Sequence, residues 1–283
     1  MAFKTSAQPH QLQDFESFII ECISAMKIIW VVSILWASGY AAEDMESFGN
    51  HPRYRRNALR SRGQAWPNGQ IPYTMTPGVF NATEKAMIEK AFDVFHEKTC
   101  LRFKPRDAEP AYVKVFKGNE CSASIGRTSF EEHALSLPDY CFLQFGVILH
   151  ELMHLAGFEH EHVRPDRDDY VKISMENVLA GNEDLFRKKS YDAVSTMNAP
   201  YDYCSIMHYV RTVDSKNGED TITPIKPTGG CNIGDGQIKG ELSEIDILKI
   251  NTLYSCQGLP QLRQPGELRT EESLNIPAVV KGR

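Results

Sequence analysis

The segment HELMHLAGFEH at 150–160 constrains this chain more than any other stretch. His150 and His154 stand four residues apart, so on a helix both imidazoles leave one face a turn apart and can reach the same ion. Glu151 lies about 100° further round the helix, where it can touch a water on that ion without being a ligand. Gly157 can adopt the left-handed conformation that ends a helix, after which the chain turns back and brings His160 to the same point. Three neutral imidazoles at about 2.0 to 2.1 Å suit zinc and leave it an open coordination position, as in a catalytic rather than a structural site. Water on such a zinc has a pKa of about 7, and Glu151 can take its proton during attack on a carbonyl and pass it to a leaving amine. The five fixed positions match by chance on the order of 1 in 10^4 to 10^5 chains of this composition, so surface histidines on an ordinary helix are a poor explanation. His96, His133 and His162 each stand alone and read as solvent-facing or packing residues.

A cytosolic home for this site conflicts with the cysteines. Of the seven, Cys100, Cys121, Cys141, Cys204, Cys231 and Cys256 lie between 57 and 256, none in a CxxC pair, which fits three disulfides and an oxidising compartment. The matching export signal is MKIIWVVSILWASGYAA. Lys27 is followed by an apolar run from Ile28 to Ala37, with Gly39 and Ala41 placed at −3 and −1 for cleavage after Ala41. The run is too short for a permanent membrane anchor. Residues 1–25 read as an upstream extension with Met26 as the true start, and 26–41 as the signal peptide. Cys22 then drops out, leaving an even count.

Residues 42–56 are polar and end in RYRR, which reads as a pro-segment removed by a trypsin-like or furin-like activating protease. Globular texture begins near Trp66. Pro67, Asn68 and Gly69 predict a turn feeding a strand around Ile71 to Met75. Thr83 is expected to cap a helix running to about Lys98, and LRFKP and AYVKVFK alternate as strands. Ser243 and Asp246 form a capping-box pattern before a second amphipathic helix. Residues 257–283 read as a flexible tail. The two ends together carry 9 basic and 9 acidic residues, so the whole net charge of −6 belongs to 57–256, which holds 22 basic and 28 acidic residues. Such a surface repels phosphate backbones and excludes nucleic acid as a partner. Asn81-Ala82-Thr83 is a sequon that should carry a glycan at Asn81 in a secreted protein.

Four strings give the chain a close resemblance to the astacin family of metzincins: WPNGQIPY at 66–73, HELMHLAGFEHEHVRPDRDDY at 150–170, YDYCSIMHY at 201–209 and LSEIDILKINTLYSC at 242–256. The resemblance implies an α+β, two-lobed catalytic domain over 57–256. Its N-terminal lobe would hold a twisted mixed sheet and two long helices. Its C-terminal lobe would be mostly irregular, with a final helix. It implies one zinc ion on His150, His154 and His160, with Tyr209 as a displaceable further ligand whose hydroxyl stabilises the oxyanion. Met207 would be the apolar base beneath the metal, and Glu161 would bind the new N-terminal ammonium after processing. The family's disulfides map onto Cys100 with Cys256 and Cys121 with Cys141, and the remaining Cys204 and Cys231 are expected to pair. The family's pro-segment blocks zinc with an aspartate in an FxGD string. Here the corresponding residues are Phe48, Gly49 and Asn50, and Asp44 or Glu46 can substitute for that aspartate.

The reading that results is a secreted, extracellular, monomeric zinc endopeptidase cutting protein or peptide substrates, with Glu151 as general base. A binding protein that kept the fold and lost catalysis would need a damaged motif, and all five motif residues are intact. A zinc enzyme acting on a non-peptide substrate is opposed only by Tyr209 and the family resemblance, and an assay on casein or gelatin separates the two.

Overall fold

The computed structural model describes the backbone of Arg56–Leu59 and residues 64–262. The expected upstream extension, signal peptide, most of the pro-segment and the end of the tail lie outside the described residues. Strand β1 (Arg56–Leu59) pairs antiparallel with β8 (Val194–Thr196), so the expected processing point after Arg56 falls within a paired segment.

A five-stranded mixed sheet forms the first part of the domain. Its strands are β2 (Gln70–Met75), β3 (Arg102–Pro105), β4 (Tyr112–Phe116), β5 (Ser122–Ala123) and β6 (Glu132–Ser136), in the order β3-β2-β4-β6-β5. Pairings are parallel except at the edge, where β5 runs antiparallel to β6. Helix α1 (Ala82–Lys98) connects β2 to its parallel neighbour β3, the kind of crossover that parallel pairing demands. Asn81 caps it, not Thr83. The Asn81 side chain accepts the Glu84 N–H at 3.0 Å and the Glu84 carboxylate accepts the Asn81 N–H at 2.8 Å. Thr83 has only Ala86 three residues on and cannot complete such a reciprocal pair.

Ile88, Ala91, Phe92 and Phe95 of α1 meet Ile71, Phe103, Val113, Val115 and Leu135 of the sheet in one apolar core, with Phe92 stacked on Phe103 at 4.5 Å. The same core takes in Ile148, Leu149, Leu152, Met153 and Leu155 of α2 (Phe145–Leu155), the helix of the HELMH motif. A second, separate core of Val171, Val178, Phe186, Tyr201, Tyr203, Ile222 and Ile233 holds the later part together. That part holds 3-10 turns, strand β8, the short antiparallel pair β7 (Val171–Ile173) and β9 (Ile222–Pro224), and helix α3 (Asp235–Lys239). Two cores and a largely irregular second half fit the expected two-lobed α+β class.

Helix α4 (Glu244–Leu253) closes the domain, with the expected capping box between Ser243 and Asp246. Its apolar Ile250 joins the first core, and the Cys100–Cys256 disulfide ties its end to the end of α1. The helix departs from the amphipathic expectation, because Asp246, Lys249 and Asn251 are as buried as Ile250. The buried face is polar because it meets polar partners: Lys249 the Glu161 carboxylate, Asp246 a serine hydroxyl and a backbone N–H, and Asn251 the Lys98 carbonyl. Cys121 pairs with Cys141, and Cys204 with Cys231, so all three expected disulfides form. Among the described residues no helix is long and apolar enough to cross a membrane.

Candidate active site

The end of α2 fixes the geometry of the site. Gly157 has φ of 99° and sits just past the helix, donating its N–H to the His154 carbonyl at 2.8 Å, while the Phe158 N–H reaches the Met153 carbonyl at 3.3 Å. This pair of bonds is the left-handed glycine stop that the sequence predicts. The remaining carbonyls of the last turn are satisfied from far along the chain: His154 also by Gly126 N–H, Leu155 by Trp66 Nε1–H at 2.8 Å, and Ala156 by Tyr254 O–H at 3.0 Å. Trp66 and Tyr254, 188 residues apart, therefore anchor the turn that delivers His160. Gly146 allows the other close approach. A Cβ there would lie 1.9 Å from the Gln237 carbonyl of α3.

His150, His154 and His160 converge as expected. The Nε2 atoms of His150 and His154 each lie 3.2 Å from that of His160. His150 Nδ1–H donates to the Ile206 carbonyl at 2.8 Å and His154 Nδ1–H to the Phe158 carbonyl at 2.7 Å, because a carbonyl can only accept. Both Nε2 atoms are then bare lone pairs aimed at a third nitrogen, an arrangement that calls for a cation. Burial lowers the His150 pKa to about 3 and that of His154 to about 4, and pushes His160 well below its ordinary value, so all three are neutral ligands at physiological pH. Among the described residues this is the one group of three His, Cys, Asp or Glu side chains close enough to share a metal ion, and its donor set fits zinc.

Glu151 is buried, and burial, followed by the charge of Glu120, pushes its carboxyl up to about 8. Tyr209 packs its ring against His160, with centroids 4.4 Å apart, and burial raises the pKa of its phenol. Met207 is buried in the first core, and its turn contributes mainly through backbone. The Ile206 carbonyl orients His150, and the Met207 carbonyl accepts the N–H of Glu161 at 2.9 Å. Asp246 holds that turn from α4, accepting from Ser205 Oγ–H at 2.7 Å and Ile206 N–H at 2.8 Å.

Glu161 lies buried beside His160, not on the surface. Its carboxylate accepts from Arg164 at 2.9 Å, Lys249 at 2.7 Å and the Asp202 N–H at 2.9 Å. Burial alone would raise its pKa, but Lys249 and Arg164 outweigh that effect and hold it at about 2. Arg164 is itself buried and forks onto Asp166 at 2.9 and 2.8 Å. The sequence reading missed Arg164, Lys249 and Asp202, and gave Asp246 only its capping role. Their one visible signal is a charged pair at helical spacing, Asp246 and Lys249, which puts two charges beside the apolar Ile250 on the buried face of α4.

The isolated histidines separate. His96 accepts the Phe103 N–H at 2.9 Å, and His133 is buried and accepts the Thr128 N–H at 2.8 Å, both packing roles. His162 is completely buried and reaches the site itself, its ring stacked on Tyr209 with centroids 4.1 Å apart.

Residues 58–255 match the profile of the Astacin family of peptidases. Zinc metalloproteinase nas-6 of Caenorhabditis elegans is 39% identical over 79% of this chain and 63% of its own length. Zinc metalloproteinase nas-7 of the same organism is 40% identical over 72% of this chain and 52% of its own. The chain thus spans roughly half to two thirds of these relatives. High choriolytic enzyme 1, a hatching enzyme zinc-protease from the medaka fish Oryzias latipes, is 37% identical, with a TM-score of 0.64 over 71% of this chain and all of its own. A profile match over most of the chain, together with relatives close to 40% identity across the fold and the histidine cluster, means that this chain belongs to the astacin family.

Proposed function

We propose that this protein is a secreted zinc endopeptidase that hydrolyses peptide bonds in proteins, and that residues 57–256 form its catalytic domain. The observation that carries this reading is the convergence of three neutral imidazoles beside one buried carboxylate on α2, in a member of a peptidase family. His150, His154 and His160 would hold the ion. Zinc bound there supplies Lewis acidity that polarises water and the scissile carbonyl.

The protein's own groups do the rest. The Nδ1 bonds of His150 and His154 fix the tautomers and hold the rings in place. Glu151 stands next to His150 in a dry setting that brings its proton affinity toward neutrality, although a nearby dication pulls it back down. It takes a proton from the attacking water onto its carboxylate and delivers it to the leaving amine. Tyr209 keeps its phenolic proton and donates it as a hydrogen bond to the oxygen on which charge develops. The decisive experiment treats purified, processed protein with phenanthroline in a casein assay. Activity should vanish and return with zinc, and proteolysis that persists without metal would overturn the reading.

Processing after Arg56 would start the mature chain at Asn57 and present its ammonium to Glu161. The pairing of β1 with β8 supports this, since the residues just after β8 already join the Glu161 cluster: Ala199 and Pro200 accept from Arg164, and the Asp202 N–H donates to Glu161. N-terminal sequencing of active protein should read Asn-Ala-Leu-Arg. A glycan on Asn81 fits its exposure and leaves Oδ1 free to cap α1. A mass shift on glycosidase treatment would reveal it.

A further inference from the structure

Tyr209 is clamped by two histidines, His162 and His208, whose roles neither the zinc motif nor the resemblance supplies. His208 Nδ1–H donates to the Tyr209 carbonyl at 2.8 Å, and His208 Nε2 accepts the Tyr201 O–H at 2.9 Å, which fixes the backbone of the tyrosine. The ring is held differently. His162 lies face to face with it, centroids 4.1 Å apart and planes 25° apart, and His162 Nε2–H donates to the Leu185 carbonyl at 3.0 Å. Phe186 packs against the imidazole in an edge-type contact, centroids 5.8 Å apart. The His162 ring therefore cannot rotate without losing both its tether and its packing.

A stacked pair resists tilting, because tilting drives one ring into the other, but parallel sliding keeps the faces in contact at little cost. A tyrosine resting on a fixed imidazole is thus free along an arc in its own plane and blocked out of it. The His160 ring, 4.4 Å from Tyr209 and tilted by 52°, borders that arc on the metal side. His162 Nδ1 is buried and has no hydrogen-bond partner, so the residue pays for its ring position with an unsatisfied nitrogen. An ordinary packing role explains neither that nitrogen nor the choice of Tyr209 as the stacked neighbour.

The geometry points to His162 as a positioning residue that guides the Tyr209 ring, with the 185–186 segment as its fixed mount. The inference rests on the reading above that Tyr209 serves the reaction. It acts through the aromatic face of His162, so the face and the hydrogen bond can be removed separately. His162→Gln keeps a donor near the Leu185 carbonyl and loses the ring, whereas His162→Phe keeps the ring and loses the donor.

The test is a double-mutant cycle on the processed zinc protein, pairing each His162 variant with Tyr209→Phe and reading kcat, KM and zinc affinity by chelator competition. His162→Gln should lower kcat about 10 to 100-fold with KM little changed. It should also weaken zinc binding in the Tyr209 protein only, and neither quantity should fall further in the Tyr209→Phe background. His162→Phe should stay within several-fold of the parent in both. Additive losses in the two backgrounds, or a His162→Phe defect equal to that of His162→Gln, would overturn the inference. Should the buried glutamine unfold the protein, His162→Leu fills the site without an aromatic face and carries the same expectation. A parent protein that cleaves nothing would sink the proposed function instead, and the zinc-affinity cycle would still decide the role of His162.

Discussion

His160 and Glu161 are consecutive in the chain yet belong to buried polar clusters built on opposite principles. At His160 the converging rings are neutral. Lone pairs of three imidazoles face one another, and burial keeps protons off them. Around Glu161 the groups are charged. Arg164 and Lys249 lie among the carboxylates of Glu161, Asp166, Asp202 and Asp246. The first cluster is completed by a dication from outside, and its function follows from that need. The second is largely compensated by side chains of the protein, and it ties α4, the Met207 turn and the third histidine into one unit. On the proposed function, chemistry rests on the neutral cluster and its alignment on the charged one.

If that division holds, Glu151→Gln should strike chemistry alone. It removes the base and leaves the ligands, so kcat should fall roughly 10^2 to 10^4-fold or more while metal analysis still finds one zinc per chain. Undiminished proteolysis would break the assignment of chemistry to this cluster. Glu161→Ala should do the reverse, because it leaves Arg164 and Lys249 buried without their shared carboxylate. A loss of about 3 to 5 kcal/mol in denaturant unfolding is expected, similar with and without zinc. The loss should be larger in the processed chain than in the precursor, and equal losses would remove the ammonium from the picture.

Tyr209→Phe sharpens the neutral side. It should lower kcat roughly 10 to 10^3-fold with KM nearly constant, since in the proposed role the hydroxyl acts on charge present only in the transition state. A pure KM effect would move Tyr209 to substrate binding. The smallest effect concerns pH and the charged side. Burial, and then Asp246, pushes the Asp202 carboxyl up to about 7, well above its value in an unfolded chain. The folded state then holds a proton that the unfolded state releases. That contribution is greatest below about 4 and is lost as pH rises toward 7, by at most about 1.4 kcal/mol per pH unit, against the buried neutral histidines, whose contribution is lost as pH falls. Asp202→Asn should remove that opposing term, so that stability rises more steeply from pH 5 to 6 than in the parent, by up to about 1.4 kcal/mol per pH unit, and an unchanged slope would place the proton elsewhere.

The zinc site was legible because its information is local. A helix puts residues four apart on one face, and a glycine permits the turn that returns His160, so eleven consecutive residues encode the ligand set. The α1 cap shows where local reading slips. Asn81 and Thr83 are both good caps by residue type, and only the partner three positions on decides between them.

The charged cluster could not be read in this way. A lone buried lysine at 249 looks like a flaw in an amphipathic helix until Glu161, 88 residues earlier, is placed 2.7 Å from it. His162 looked like any isolated histidine until the fold set Tyr209 against it. What the sequence determined by itself was therefore the chemistry, because metal ligation depends on side-chain types at helical spacing. What only the tertiary structure decided was the alignment. Trp66 and Tyr254 on the end of α2, Lys249 on Glu161 and His162 under Tyr209 are contacts between distant segments, and they exist only once the two cores have brought those segments together.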